Sequence, residues 1–357
     1  MKSIAINGKF LGANLNGVHR TAAYFSRELA KHSAGHTGVR LLTPPGTVGN
    51  PEFPGLVGQT ASGVFNGGQG WEMVTLPMAA RDDLLVNFCN LAPLLHGNSV
   101  VMIHDAQTFL HPEDYTGKQA MFYRALLPWI GKRARRILTV SEFSRGSLVA
   151  HGVGTRDKID VVHNGTDHLL DAPPDPLVLS RHGLTSGKYV MCLGSTKGYK
   201  NIRAVFDAMR DASVQGIPLV VAGGPPPAQY EAAGWQPPAG TIFTGFVSDA
   251  EMRALLEGAA VFVFPSLTEG FGLPPVEAMH CGCPVVSARA GAMPEVVGQA
   301  ALMVSADRPD EYRAAIESVL RDGELAARLR AAGSARAAEL TWDAAGARLW
   351  QVIRGLL

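Results

Sequence analysis

Short apolar runs, many of them β-branched, recur along the chain. Each is followed by a glycine or polar turn and then by a stretch with apolar residues at helical spacing, the pattern of βα units wound around parallel sheets. In the first half, Ser3 to Asn7, Val39 to Thr43, Leu84 to Phe88, Val100 to His104, Ile137 to Val140 and Ile159 to Val162 predict strands. Arg20 to His32, Lys118 to Ala134 and Phe143 to His151 predict helices, the last capped by Ser141. The series then breaks at Asp171-Ala172-Pro173-Pro174-Asp175-Pro176, where three prolines in six residues suit neither a helix nor a central strand. That stretch reads as an interdomain linker.

The second half restarts the series, with strands predicted at Tyr189 to Leu193, Leu219 to Ala222, Thr241 to Phe243, Ala260 to Phe264, Pro284 to Ser287 and Leu302 to Val304. Helices are predicted over Asn201 to Ala212, Asp249 to Glu257, Pro274 to Met279, Glu311 to Arg321, Glu324 to Glu339 and Trp342 to Ile353. The expected fold is therefore α/β with two doubly wound, Rossmann-like domains. The boundaries expected are 1–170 for the first domain, 171–176 for the linker, 177–340 for the second domain, and 341–357 for a final helix that packs back on the first. Sheets of this kind bind ligands beyond the carboxyl ends of their strands, so a central cleft between the domains is where a ligand is expected.

The 357 residues are 46% hydrophobic and 18% charged, enough to bury a large core and too apolar for a disordered chain. Net charge is +1, which leaves no global field to attract nucleic acid, so no nucleic-acid partner is expected and any anion must be held locally. The four cysteines form no C-x-x-C pair that would suggest zinc or redox chemistry. The apolar run at the N-terminus is too short for a secretory signal, and no stretch approaches the ~18 apolar residues of a membrane span. A cytoplasmic location is the expectation.

Candidate chemistry concentrates between Pro265 and Met279, where an apolar strand gives way to Glu269-Gly270-Phe271-Gly272-Leu273-Pro274 and then to a helix carrying Glu277. Gly270 and Gly272 permit close backbone approach, and the start of the helix offers amides and a positive dipole end to a phosphate. The carboxylates of Glu269 and Glu277 suit vicinal hydroxyls of a sugar or ribose. The bland alternative is a capping glutamate plus a solvated one.

Glu269 and Glu277, in E-x7-E spacing with Gly-Phe-Gly-Leu-Pro-Pro between them, resemble the signature of the family 4 glycosyltransferases, retaining enzymes of the GT-B fold. Further matches follow in the family's order: Asn16-Gly17-Val18-His19-Arg20, His104-Asp105, Thr139 to Ser144, Asn164 to Asp167, Leu193-Gly194-Ser195, Lys200-Asn201, Gly223-Gly224 and Gly245-Phe246-Val247. The nearest likeness is to bacterial mannosyltransferases that build polysaccharide or lipopolysaccharide. The resemblance implies transfer of a hexose from a nucleotide sugar, with mannose from GDP-mannose favoured, to a glycan or lipid-linked oligosaccharide acceptor, with domain 1–170 binding the acceptor and domain 177–340 the nucleotide-sugar donor. A UDP-sugar donor of the UDP-glucose type, or a catalytically inactive nucleotide-sugar-binding protein, is the alternative.

The resemblance also implies roles for single residues. His104, Glu269 and Lys200 would be catalytic, His104 meeting the donor sugar, Glu269 its hydroxyls, and Lys200 the diphosphate. Donor binding would add Gly17, Ser195, Gly270, Phe271, Gly272, Leu273 and Glu277, the last on the ribose. Many relatives carry an arginine about five residues before the lysine, and Ser195-Thr196 stands there instead. Asn16 and Arg20 are weaker candidates for the acceptor. The absence of an Asp-x-Asp motif agrees with a metal-independent, cofactor-free reaction in which the leaving phosphate helps deprotonate the acceptor.

Between Lys118 and Arg136 an aromatic stretch, with Phe122, Tyr123 and Trp129, precedes Lys132, Arg133, Arg135 and Arg136. Peripheral docking on the cytoplasmic face of an anionic inner membrane would suit it, whereas the interruption at Pro128 favours a core-facing helix with a solvated basic end. Two other nucleotide-binding classes fail on spacing. Gly12 to Gly17 does not spell the dinucleotide fingerprint, and Gly183 to Tyr189 is one residue short of a P-loop with Tyr where Ser or Thr is required.

Overall fold

The computed structural model describes residues 3–13, 17–211, 214 and 216–357. They form two compact units, Met1–Gly165 with Trp342–Leu357, and Thr166–Thr341.

The first unit carries a seven-stranded sheet of β1 (Ile4–Asn7), β2 (Val39–Thr43), β3 (Gln59–Thr60), β4 (Leu84–Asn87), β5 (Ser99–Met102), β6 (Arg136–Thr139) and β7 (Ile159–Val161) in the order β3-β2-β1-β4-β5-β6-β7. All its pairings are parallel. Strands such as Ile4–Asn7 and Leu84–Asn87 are buried along their whole length, because helices cover both faces of a parallel sheet, and so they are written as unbroken apolar runs. The exposed two-residue β3 has no such run, and nothing in the pattern predicts it. Helices α1 (Gly17–Ser33), α2 (Gly117–Arg133) and α3 (Glu142–Ala150) fill the crossovers. The Ser141 hydroxyl accepts the Ser144 N–H at 3.0 Å, which satisfies one of the free donors at the start of α3.

The second unit has a six-stranded parallel sheet of β8 (Val190–Leu193), β9 (Leu219–Ala222), β10 (Ile242–Gly245), β11 (Val261–Phe264), β12 (Val285–Ala288) and β13 (Leu302–Val304), in the order β10-β9-β8-β11-β12-β13. This is the doubly wound order of a Rossmann sheet. Around it lie α4 (Ile202–Met209), α5 (Asp249–Gly258), α6 (Leu273–His280), α7 (Pro309–Arg321) and α8 (Gly323–Ala338). Phe206 and Val205 from α4 pack with Val190, Val221 and Val263 of the sheet and with Tyr312 and Ile316 of α7 in one buried core. α5 starts with a reciprocal capping box between Ser248 and Glu251.

The boundaries differ from the sequence expectation of 1–170, 171–176, 177–340 and 341–357. Chain passes between units at 165/166 and at 341/342, so the proline-rich stretch 171–176 lies inside the second unit. The prolines do break regular structure, but the loop is fastened by Arg253, whose guanidinium donates to the Ala172 carbonyl at 2.8 Å, and by the Asp175 N–H, which donates to Ala250 at 2.9 Å. The final helix, α9 (Trp342–Arg354), belongs to the first unit. Trp342 stacks on Tyr24 at 4.7 Å between centroids and meets Phe25 edge-on at 5.3 Å, both on α1. Gly346 lets the two helices close, since a Cβ there would lie 2.5 Å from Glu28 Cβ. No helix among the described residues is long and apolar enough to cross a membrane.

Candidate functional site

In each sheet the strand order reverses direction at one point, between β1 and β4 in the first unit and between β8 and β11 in the second. Loops leaving such a pair diverge to opposite sides and open a crevice at the carboxyl edge. In the second unit that crevice holds the predicted donor residues. After β8 the chain passes through Gly194, where a Cβ would stand 2.5 Å from the Gly223 carbonyl oxygen, so only glycine lets the loops after β8 and β9 touch. Ser195 follows, and its hydroxyl accepts the Lys197 N–H at 3.2 Å.

The turn Gly198–Lys200 is then strapped to the loop after β11. Leu267 N–H donates to the Tyr199 carbonyl at 2.8 Å. Asn201, held at φ 53° in the left-handed region, donates its side-chain amide to the carbonyls of Pro265 (3.1 Å) and Ala306 (2.7 Å). This strapping delivers Lys200 Nζ to Glu269 Oε1 at 2.5 Å, an ion pair whose side chains are 32% and 15% exposed. A partly solvated pair of this kind adds little stability. It does hold a cation and a carboxylate side by side, and the lysine lines a cavity of about 230 Å³ with Gly194, Ser195, Lys197, Tyr199 and Ser266 among others.

The segment after Glu269 is set by glycine geometry. Gly272 caps α6 at φ 85°, and a Cβ on it would come 2.2 Å from Met293 Cε. Gly291, at φ 57°, lies under the other side of the loop, where a Cβ would be 2.6 Å from the Glu269 nitrogen, and the Ala292 N–H donates to the Glu269 carbonyl at 3.2 Å. Gly270 and Phe271 are buried, and Leu273 opens α6. Glu277, one turn along α6, has a different partner from Glu269: its Oε1 lies 3.3 Å from His168 Nε2. His168 escaped the sequence reading because a lone histidine after Asp167 carries no signal of its own.

The remaining predicted residues belong to the first unit. His104 follows β5 and is 7% exposed. Its N–H donates to Asn90 Oδ1 at 2.9 Å, and its Nε2 lies 2.7 Å from the Phe88 carbonyl oxygen. A carbonyl only accepts, so Nε2 carries the hydrogen and Nδ1 is the bare nitrogen. Burial pushes the imidazole down to about 4, against a smaller opposing effect of the Phe88 carbonyl, so the ring is neutral at neutral pH. Gly17 is the exposed first residue of α1, with nothing within 4 Å of the place a Cβ would take. Arg20 donates to Glu52 at 2.8 Å on the surface. Asn16 lies outside the described residues.

Two groups of metal-ligating side chains occur among the described residues, Glu28 with His32 and Asp343, and His111 with Glu113 and Asp114. Neither includes a predicted site residue, and Lys31 Nζ sits 2.6 Å from Asp343 in the first of them.

Comparison with known proteins assigns the two halves separately. Residues 15–168 match the family described as Glycosyltransferase Family 4, and residues 181–336 match Glycosyl transferases group 1. The chain is 30% identical over 263 residues to O-antigen chain mannosyltransferase B of Escherichia coli, covering 69% of this chain and 67% of that one. It is 27% identical over 260 residues to the serotype-specific mannosyltransferase WbdA of the same organism, where the match takes 68% of this chain but only 32% of the relative. Among solved structures, Anabaena HepE in complex with UDP-glucose superimposes with a TM-score of 0.73 at 18% identity, over 99% of this chain and 100% of that one. At that identity the likeness is one of fold.

Proposed function

The chain belongs to the family 4 glycosyltransferases, and from that premise we propose that it moves mannose from GDP-mannose to a glycan or lipid-linked acceptor in bacterial surface polysaccharide synthesis. The observation that carries this reading is the Lys200–Glu269 pair at the switch point of the second sheet, a cation for a diphosphate beside a carboxylate for sugar hydroxyls. The names of the two mannosyltransferase relatives support mannose as the sugar, and the O-antigen in the name of the first supports a surface glycan as the product.

In this reading Glu269 accepts hydrogen bonds from the donor sugar, and Lys200 stabilises the charge that develops on the leaving diphosphate. Glu277 takes the ribose hydroxyls. The amides of Phe271, Gly272 and Leu273 and the positive end of α6 face sugar and phosphate. Ser195 adds a hydroxyl where an arginine stands in many relatives, and by the family likeness Gly17 and His104 also bind the donor. The acceptor hydroxyl attacks C1 on the face from which the nucleotide leaves. The bond from C1 to the diphosphate oxygen breaks as the new one forms, and the hydroxyl proton passes to that departing oxygen. The configuration is retained, no metal or cofactor takes part, and the chain's contribution is fixed charge and positioning.

Incubation with GDP-mannose and a panel of glycan acceptors is expected to release GDP and give an α-linked product by NMR. A β-linked product removes retention, and a reaction stopped by chelator and restored by manganese removes metal independence. GDP is expected to raise the melting temperature more than UDP, since a ligand at ~100 times its dissociation constant stabilises by ~2.7 kcal/mol. A shift with UDP alone moves the assignment to a UDP-sugar transferase, and binding without turnover moves it to a nucleotide-sugar sensor.

The reading places the enzyme at the cytoplasmic face of the inner membrane through α2. There Met121 and Trp129 are 68% and 62% exposed, and Lys132 Nζ lies 5.9 Å from the Trp129 ring. Leu127 and Ile130 of the same helix are buried, so one face makes core and the other is left for the leaflet. Flotation with phosphatidylglycerol vesicles is the check, and an enzyme left at the bottom of the gradient with and without anionic lipid ends this part of the proposal.

A further inference from the structure

Helix α6 is latched to the start of the second unit at two places. His280 Nε2 lies 3.1 Å from the Thr166 hydroxyl. That hydroxyl gives its hydrogen to the Leu340 carbonyl at 3.0 Å, so it accepts from His280, whose Nε2 carries the proton. Three residues earlier, on the same face of the helix, Glu277 Oε1 lies 3.3 Å from His168 Nε2. An ionised carboxylate only accepts, so here too the ring nitrogen is the donor.

The turn that carries His168, Asp167–Asp171, is fastened on both sides. Before it, the Thr166 N–H donates to the Leu340 carbonyl at 2.9 Å. At its end and just beyond, the Arg253 guanidinium donates to the carbonyls of Leu170 at 3.2 Å and Ala172 at 2.8 Å. The His168 side chain is 7% exposed, so the fold sets where its ring nitrogen stands. Each glutamate of the E-x7-E segment thus meets a nitrogen donor brought by another part of the chain, Lys200 for Glu269 and His168 for Glu277. Lys200 lines a cavity and can itself reach a ligand, whereas buried His168 acts through the carboxylate it touches. A carboxylate accepts about four hydrogen bonds, so the bond from His168 leaves Glu277 able to accept from two vicinal hydroxyls as well. A glutamate side chain that must be ordered at the moment of binding costs affinity, and one already held does not.

We propose that His168 is a positioning residue for donor recognition: by bonding Glu277 Oε1 it fixes that carboxylate for the ribose, and so sets the preference of the protein for a ribonucleotide over its deoxy counterpart. The inference rests on the reading that puts Glu277 at the ribose, and it holds for either base.

The test is calorimetric titration of the full chain with GDP and UDP and with their 2′-deoxy and 3′-deoxy analogues, on wild type, His168→Leu, His168→Asn and His168→Gln. Wild type is expected to bind the better ribonucleotide at least about tenfold more tightly than its deoxy analogues, as for a hydrogen bond to a charged group. His168→Leu removes the donor, and His168→Asn puts its amide near the place of Nδ1, short of Glu277, so in both the preference is expected to fall to about twofold. The Gln amide reaches the place of Nε2, and His168→Gln is expected to keep a preference of at least about fivefold. Glu277→Gln should lose the preference too, and adding His168→Leu to it should change the ratio no further, since one residue acts through the other. A merely structural role weakens ribo and deoxy nucleotides alike and leaves the ratio as in wild type. That result, a wild type that does not discriminate or binds neither nucleotide, or loss of folding in all three His168 variants overturns the inference. If the ratio depends on His168 as described in a protein that turns over no nucleotide sugar, the transferase reading falls and the role of His168 stands. If nucleotide sugar is turned over while the ratio ignores His168, the reverse holds.

Discussion

At the residue scale the proposed site rests on two kinds of position, side chains placed by loops and glycines whose missing Cβ leaves room for a ligand. Lys200 and Glu269 are of the first kind. Replacing either, as Lys200→Ala or Glu269→Gln, is expected to lower kcat by about 10²- to 10³-fold, in the range seen for removal of one charge-stabilising group. The melting temperature should change little, because the pair is partly solvated. Gly17 is of the second kind. The protein leaves open the space a Cβ would fill there, so Gly17→Ala is expected to melt as wild type does and yet to bind the donor more weakly. Equal donor affinity in a thermal-shift titration removes Gly17 from the site.

His104 adds a pH dependence whose sign follows from its environment. Its folded pKa is pushed from 6.5 down to about 4, so between those values the unfolded chain takes up a proton that the folded one does not. The stabilisation from keeping the ring neutral is complete above the unfolded value and is lost as pH falls through this window, a total of about 3 kcal/mol. An NMR titration of the His104 ring should show no midpoint above pH ~5. A midpoint near the ordinary histidine value means that the His104 ring is not buried in solution.

At the element scale, helix α6 is aimed by one residue. Gly272 combines a left-handed backbone with contact against Met293, so Gly272→Ala is expected to cost about 2 kcal/mol or more, half from the conformation and half from overpacking. Chemical denaturation measures the cost. A neutral result implies that the loop relaxes freely, and then the orientation of the Phe271 to Leu273 amides is not fixed by the fold. The contrast with Gly17→Ala separates glycines required by packing from those left for a ligand. The Lys200 turn is likewise fixed by one residue, Asn201, whose side-chain amide reaches the carbonyls of Pro265 and Ala306.

At the scale of the whole molecule, the chain leaves the first unit at 165, builds the second, and returns at 342 to finish the first. The returning helix is part of that unit's core. Trp342 is 3% exposed between Tyr24 and Phe25, and Trp342→Ala is expected to destabilise the unit by about 3 to 5 kcal/mol. Unfolding followed by fluorescence of the remaining tryptophans reads the loss, and a change under 1 kcal/mol would mean that α9 only rests on the surface.

The apolar runs alone determined two parallel sheets, the strands and the longer helices, because a strand covered on both faces must be apolar along its length and a helix at its edge must repeat every three to four residues. The E-x7-E segment and its glycines were equally legible, since a positive φ or a close approach leaves its mark as a specific residue type. Only the tertiary structure decided the rest. Proline density suggested a boundary at 171–176, yet the boundary follows packing, which the fastening of that loop by Arg253 and Asp175 reverses. Glu277 has its partner in His168 and Lys200 in Glu269, each far off in sequence. No local pattern encodes such pairs, because a buried charge is sustained by whichever groups the fold brings within hydrogen-bonding distance, and the sheet order, not the sequence neighbourhood, brings them there.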